Sequence, residues 1–186
     1  MKTFREKVAV ITGAGSGMGR YLAILLAKDG ADVCVCDVNE QTLNETVGML
    51  RKYNVSVSSH LLDVSDKESI EALPQKVIDQ HGKVDLVFNN AGVTTGAHFK
   101  DMDEDNWDWV MGINFNGVVN STRAFIPHMI NNSEAAIVNT SSIFGMVAVP
   151  GQTVYHATKF AVRGFTESLA LEMKQTNPNS VSYTHL

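Results

Sequence analysis

The sequence is short of several features, and each shortage narrows what the protein can be. It has two cysteines, Cys34 and Cys36, alternating in Val33-Cys34-Val35-Cys36. Both therefore point to one face of an expected strand. A disulfide at that spacing in extended chain is geometrically awkward, and no further ligands for a metal stand nearby. The pair reads as small buried hydrophobes, and no metal is expected. The longest strongly apolar run, residues 21–27, cannot span a bilayer. The apolar stretch 8–11 behind Lys2, Arg5 and Lys7 is too short for a secretory signal. No membrane partner is expected, and a cytoplasmic location follows by default. There is no run of Lys or Arg, and the net charge is −5, which argues against nucleic acid as a partner. Repeats, low-complexity segments and long linkers are absent as well.

What is present is ordinary globular chain. The 186 residues suffice for one domain with a real core, and 44% hydrophobic with 19% charged content fits a soluble fold. Short β-rich apolar runs at 8–12, 32–36, 56–62, 84–89 and 136–140 alternate with helical patterns. The helical patterns lie at 17–29, 40–53, 67–81, 104–111 with 117–131, and 153–175. This alternation predicts an α/β fold, a doubly wound parallel sheet covered on both faces. In such a sheet the ligand site lies outside the carboxyl ends of the strands. Five chemically distinctive clusters follow strand candidates directly: the glycine-rich turn 13–19, Asp37, Asp63, residues 89–92, and Ser141-Ser142.

The turn Thr12-Gly13-Ala14-Gly15-Ser16-Gly17-Met18-Gly19 leaves a strand and opens a helix. Glycines there permit a tight turn and let backbone N–H groups approach a pyrophosphate at a helix N-terminus. Such a turn alone is weak, because glycines serve any tight strand-to-helix connection. Asp37 strengthens it. It ends the second strand candidate eighteen residues past Gly19, from where a carboxylate can bind ribose hydroxyls. Its bland alternative is the N-cap of the helix that follows. Neither Ser16 nor Val38 is basic, so no cation awaits a 2′-phosphate, and Asp37 would repel one. NAD is expected in preference to NADP. Asp66 or Ser65 is the better cap for the third helix, which leaves Asp63, with Val64 after it, free for adenine. Asn89-Asn90-Ala91-Gly92 reads equally as a close-approach segment or as a turn with Asx hydrogen bonds.

Tyr155 and Lys159 stand four residues apart where a helix is expected to begin, and so share a face. A phenol is a poor acid or base at neutral pH, and a neighbouring ammonium favours its phenolate. Ser142 offers a hydroxyl upstream. Together these suggest proton transfer beside a bound dinucleotide. His156 follows Tyr155, but successive helical residues point in different directions, which argues against catalysis by it. His98 and the loops 94–99 and 147–150 fall where a substrate would lie. Trp107 and Trp109 read as packing residues.

These residues carry a resemblance. Over residues 5–175 the chain resembles the short-chain dehydrogenase/reductase family, in its NAD(P)-dependent alcohol-oxidising branch. The family's Thr-Gly-x-x-x-Gly-x-Gly turn matches Thr12 to Gly19, its Asn-Asn-Ala-Gly motif matches Asn89 to Gly92, and its Tyr-x-x-x-Lys motif matches Tyr155 to Lys159. Asn114 matches its active-site asparagine and Ser142 its serine, with Ser141 the runner-up. The resemblance implies a Rossmann fold and a catalytic set of Asn114, Ser142, Tyr155 and Lys159. Tyr155 would be the general acid/base toward a secondary alcohol or ketone, and Ser142 would steady the same oxygen. Lys159 would bind the nicotinamide ribose, and Asn114 would hold a water in a proton relay. The cofactor would be bound by Gly13, Ser16, Gly17, Met18, Gly19, Asp37, Asp63, Val64, Asn90, Ala91, Gly92, Tyr155 and Lys159. A helix interrupted at Asn114 by a π-bulge or bend fits both a structural and a functional role.

The resemblance also sets expectations for assembly and for the end of the chain. A homodimer or homotetramer is implied, packed through an apolar face of Gly117, Ala124, Phe125 and Met129 with Phe160, Phe165 and Leu169. The family's chains continue with a sixth strand, a Pro-Gly turn, a substrate-covering segment and a seventh strand. Residues 179–186 show only a hint of alternation. The expectation is one domain over 1–179, incomplete at its C-terminus, with a doubtful tail at 180–186 and an unpaired or poorly satisfied sheet edge. The alternative function is a dinucleotide-binding protein without turnover, or an inactive truncated product.

Overall fold

The computed structural model describes residues 3–132, 134–176 and 181–185. Strands β1 (Val8–Thr12), β2 (Asp32–Asp37), β3 (Val57–Leu61), β4 (Leu86–Asn89), β5 (Ala135–Asn139) and β6 (Val181–His185) form one parallel sheet in the order β3-β2-β1-β4-β5-β6. Helices α1 (Gly17–Lys28), α2 (Glu40–Leu50), α3 (Lys67–His81), α4 (Glu104–Met111), α5 (Gly117–Met129) and α6 (Thr153–Thr176) occupy the connections. The doubly wound parallel sheet expected from the sequence is present.

Strand β1 shows why. Its five residues, Val-Ala-Val-Ile-Thr, are all buried. Val8 and Val10 enter one core layer, with Ile70, Leu73 and Val77 of α3 and Phe125 and Met129 of α5. Ala9 and Ile11 enter the other, with Ala23 and Leu26 of α1 and Leu43 and Leu50 of α2. A strand buried on both faces has no use for alternation, hence its continuous apolar run. Cys34 and Cys36 sit in the α3–α5 layer as free buried thiols with Sγ atoms 3.9 Å apart. The helices are punctuated locally. Asp66 caps α3 by accepting the N–H groups of Glu68 and Ser69, and Gly82 ends it in the left-handed region. Asp103 caps α4 from Asn106 N–H.

Between α4 and α5 the chain makes a π-turn over Gly112–Asn116, with Asn114 fully buried inside it. A polar ladder ties this side to the sheet. Asn89 Nδ2 donates to Asn139 Oδ1 at 2.8 Å, and Asn139 Nδ2 donates to Thr166 Oγ1 of α6 at 2.9 Å.

Two expectations are corrected here. The β5 edge is not unpaired: β6 runs parallel to it, with Ala135 opposite Val181 and Asn139 opposite His185. An open edge offers unpaired backbone groups that any extended segment can meet, so a weak apolar pattern suffices. Residues 177–180 and 186, including the tail boundary at Asn179, lie outside the described residues. The apolar face expected on α5 is also turned inward. Phe125 and Met129 are wholly buried in the chain's own core, and a Cβ on Gly117 would meet Val64 at 2.9 Å. No helix among the described residues is long and apolar enough to cross a membrane.

Candidate active site

The strand order reverses between β1 and β4: the chain builds outward through β2 and β3, then returns to β4 and continues through β5. A crevice opens at such a switch point, outside the carboxyl ends of the strands. It holds a cleft of about 360 Å³. Gly13, Ser16, Gly17 and Met18 line it from the turn after β1, and Asp37 from the end of β2. Asp63 and Val64 line it beyond β3, and Asn90, Ala91 and Gly92 beyond β4. Val38, Leu62, Val93 and Ile113 also line it. The sequence reading missed these four as cleft residues. They are apolar side chains with no motif of their own, and only their positions next to strand ends or in the π-turn could have pointed to them.

The glycine turn is shaped by close approach. Gly13 has φ +64°, and a Cβ there would meet the Cα of Ala91 at 2.8 Å. A Cβ on buried Gly19 would collide with the Gly13 carbonyl, so Gly19 supports the turn from beneath and does not line the cleft. Thr12 Oγ1 accepts the N–H groups of Asn90 at 3.0 Å and Ala91 at 3.1 Å. Asn90 Nδ2 donates to Thr12 O at 3.1 Å. The segment after β4 is thereby stitched to the turn after β1. At the start of α1 the Ser16 side chain caps nothing, and the first turn contains no acidic residue. Its amide groups and the helix dipole are left for an anion.

Asp37 Oδ2 accepts the Gly15 N–H at 2.8 Å and Oδ1 accepts the Asn39 N–H at 2.9 Å. The carboxylate is therefore fixed at the cleft wall. It is not the cap of α2. Asn39 is, accepting from Thr42 N–H at 3.0 Å. Asp63 Oδ1 accepts from both the N–H and the hydroxyl of Ser65. These residues fit a dinucleotide: a cradle that a Cβ would fill, a helix start open to a pyrophosphate, and a fixed carboxylate where a ribose would lie.

At the far end of the cleft, Gly92 leads to Lys159, whose Nζ lies 3.7 Å from where a Gly92 Cβ would stand. Lys159 is buried, its Nζ donates to Thr140 O at 2.8 Å, and desolvation brings its pKa down to about 8. That Nζ sits 5.6 Å from the Tyr155 ring centroid. Tyr155 is half-buried in the first turn of α6, its ring meeting the Phe144 ring edge-on at 6.2 Å between centroids.

The two serines separate cleanly. Ser141 is buried and donates its hydroxyl to Lys159 O at 2.9 Å. Ser142 is half-buried and accepts Phe144 N–H at 3.1 Å, which leaves its own proton to donate. Asn114 is less available than its match suggested. Its Oδ1 accepts Val93 N–H at 2.8 Å and its Nδ2 donates to Val93 O at 2.8 Å. The side chain pins the segment after Gly92.

Residues 7–183 match the sequence model of the family described as short chain dehydrogenase. The chain belongs to that family. Among short chain dehydrogenases and their relatives, the SadH protein of Mycobacterium tuberculosis is 44% identical over 173 residues, 93% of this chain and 63% of the relative. The 3-oxoacyl-[acyl-carrier-protein] reductase FabG of Thermotoga maritima is 37% identical over 171 residues, 92% of this chain and 70% of that protein. A crystal structure of a short chain dehydrogenase/reductase from Burkholderia phymatum in complex with NAD superposes with a TM-score of 0.96. It is 39% identical, and the match covers 100% of this chain and 66% of that one. The chain thus spans just under two thirds of the length of SadH.

Proposed function

We propose that this chain carries the chemistry of a dehydrogenase or reductase that moves a hydride between NAD(H) and a secondary alcohol or ketone. What carries the reading is the pair of Tyr155 and Lys159: Tyr155 is half-buried with the Lys159 ammonium 5.6 Å from its ring centre, and that ammonium stands next to Gly92 at the end of the dinucleotide cleft. Tyr155 gives a proton to the carbonyl oxygen in reduction and takes it back in oxidation. Ser142 donates a hydrogen bond to the same oxygen and steadies its developing charge. Lys159 binds the nicotinamide ribose. NAD, when bound, supplies or accepts the hydride. The turn 13–19 and the start of α1 take its pyrophosphate, Asp37 the adenosine ribose, and Asp63 and Val64 the adenine. Asp37 favours NAD over NADP, because its charge opposes a 2′-phosphate.

Self-association as a homodimer or homotetramer belongs to the same proposal. With Gly117, Phe125 and Met129 of α5 buried and Ala124 half-buried, the larger apolar contribution falls to α6, where Phe160 is 45% exposed. Sedimentation at micromolar concentration tests it, and a monomer rejects it.

The test of function is absorbance at the reduced-nicotinamide band with a panel of secondary alcohols and ketones, using wild type and Tyr155→Phe. Turnover by wild type and its loss in the variant support the reading. Equal turnover by both, or none by wild type, overturns it.

A further inference from the structure

His156 is adjacent to Tyr155 and 7% exposed. Its ring reaches the segment that runs from Ser142 toward α6. Val149 N–H donates to His156 Nε2 at 3.0 Å, and Val149 O lies 3.2 Å from the same nitrogen. An amide N–H can only donate, so Nε2 holds no proton in that bond. The imidazole proton is then on Nδ1, which lies 2.9 Å from Phe144 O and donates to it. One side chain thus ties down the main chain at two points five residues apart.

Little of the segment's own backbone bonding holds it there. Its other backbone bonds are local: Gly145 N to Ser142 O, Met146 N to Ile143 O and Val147 N to Ile143 O. Gly145 packs closely on the Lys159 carbonyl, where a Cβ would stand 2.7 Å away. The ring stack continues the same link, with His156 and Phe144 centroids 4.8 Å apart and Phe144 edge-on to Tyr155. Beyond Ser142 the segment exposes Ile143, Met146, Val147 and Val149.

We propose that His156 is a positioning residue: it clamps residues 142–149 onto the first turn of α6. The clamp sets the Ser142 hydroxyl, and the apolar side chains that follow it, in register with the Tyr155 phenol. The proposal rests on the oxidoreductase reading above, in which Ser142 and Tyr155 meet one substrate oxygen. A loosened clamp separates those two groups without touching the dinucleotide cleft. Its effect therefore falls on the alcohol or ketone and not on NAD.

Two variants test this in the 186-residue chain. His156→Phe keeps a ring against Phe144 but removes both hydrogen bonds. His156→Gln restores an acceptor and a donor. Amide hydrogen exchange, read by mass spectrometry on peptides covering 143–150, is expected to rise at least tenfold in His156→Phe. Peptides from β1 and α1 should be unchanged, and His156→Gln should return most of the protection. The NAD dissociation constant should stay within twofold, while kcat/KM for a turned-over ketone falls at least tenfold in His156→Phe and recovers in His156→Gln. Unchanged exchange at 143–150, or a rise spread over the whole sheet, overturns the clamp. Unaltered kcat/KM in a variant with raised local exchange overturns the positioning role. Local exchange that responds as expected in a chain with no turnover on any carbonyl overturns the oxidoreductase reading instead.

Discussion

The Lys159 ammonium lies 5.6 Å from the centre of the Tyr155 ring and, among the described residues, makes one hydrogen bond, to Thr140 O. A buried cation so thinly solvated is costly, and its pKa is held down to about 8 by desolvation. The same burial holds it on the side of the Tyr155 ring.

That cost has a measurable pH signature. The unfolded lysine titrates near 10.5 and the folded one near 8, so between these values the unfolded chain binds more protons and stability rises with pH. Below pH 8 both states hold the proton and the full penalty applies, on the order of 3 kcal/mol for a shift of this size. Lys159→Met is expected to stabilise the chain at pH 7 and to remove turnover, a trade of stability for function. The stability gap should shrink by roughly half at pH 9.5. Urea unfolding of both proteins at the two pH values checks this. A gap that does not change with pH would mean that the ammonium's charge is not its source.

Asp37 predicts cofactor choice. Its carboxylate is fixed by the N–H groups of Gly15 and Asn39. Asp37→Asn keeps an acceptor for Gly15 but removes the charge. A hydrogen bond to a charged group contributes about 1.5–3 kcal/mol. NAD should therefore bind roughly 10- to 100-fold more weakly, and the ratio of NADP to NAD affinity should rise. Calorimetric titration with each nucleotide measures it, and an unchanged ratio would remove Asp37 from ribose recognition.

Two glycines should respond in opposite senses. A Cβ at Gly19 meets the Gly13 carbonyl, which cannot swing aside as a side-chain end can. Gly19→Ala should cost about 1–3 kcal/mol, the usual scale of overpacking, and weaken NAD binding. Gly48, inside α2, has nothing within 4 Å of its Cβ direction. Gly48→Ala should stabilise by roughly 0.5–1 kcal/mol through helix propensity. Thermal melting of the two variants side by side decides, and equal shifts would refute the cradle argument.

The sequence made some of this visible and hid the rest for identifiable reasons. The strands were legible because Val8–Thr12 and the run ending at Asn89 are apolar on both faces, and the clusters after them fell together because parallel strands end on one side. The break at Asn114 was legible as a polar residue inside a helical pattern, and a π-turn is what the chain makes there. What stayed hidden depends on partners distant in sequence. Asn114 looked free for a relay until Val93 was found on its amide. The α5 apolar residues looked like an interface until α3 and the sheet were seen to cover them. His156 looked idle because helical direction alone turns it from Tyr155, and nothing local announces that Phe144 and Val149 come back to meet it.

Adjacent serines give the sharpest separation of fold from chemistry. The family resemblance alone favoured Ser142 over Ser141, and the hydrogen bonds supply a physical reason. Ser141 Oγ donates inward to the Lys159 carbonyl, so Ser141→Ala strands a buried acceptor next to the α6 turn that carries Tyr155. That change should cost about 1–3 kcal/mol of stability, the range for an orphaned buried partner, and leave a folded chain that still turns over. Ser142 Oγ accepts one local N–H, which leaves its own proton free to donate; the proposed function gives that proton to the substrate oxygen. Ser142→Ala should leave the melting temperature within a few degrees and lower kcat by about 100-fold or more, the scale of losing one donor to a developing oxyanion. Melting curves and reduced-nicotinamide kinetics on both variants decide between them. If Ser141→Ala loses turnover while Ser142→Ala keeps it, the hydroxyl donor is Ser141 and the inward hydrogen bond to Lys159 does not persist in the working site.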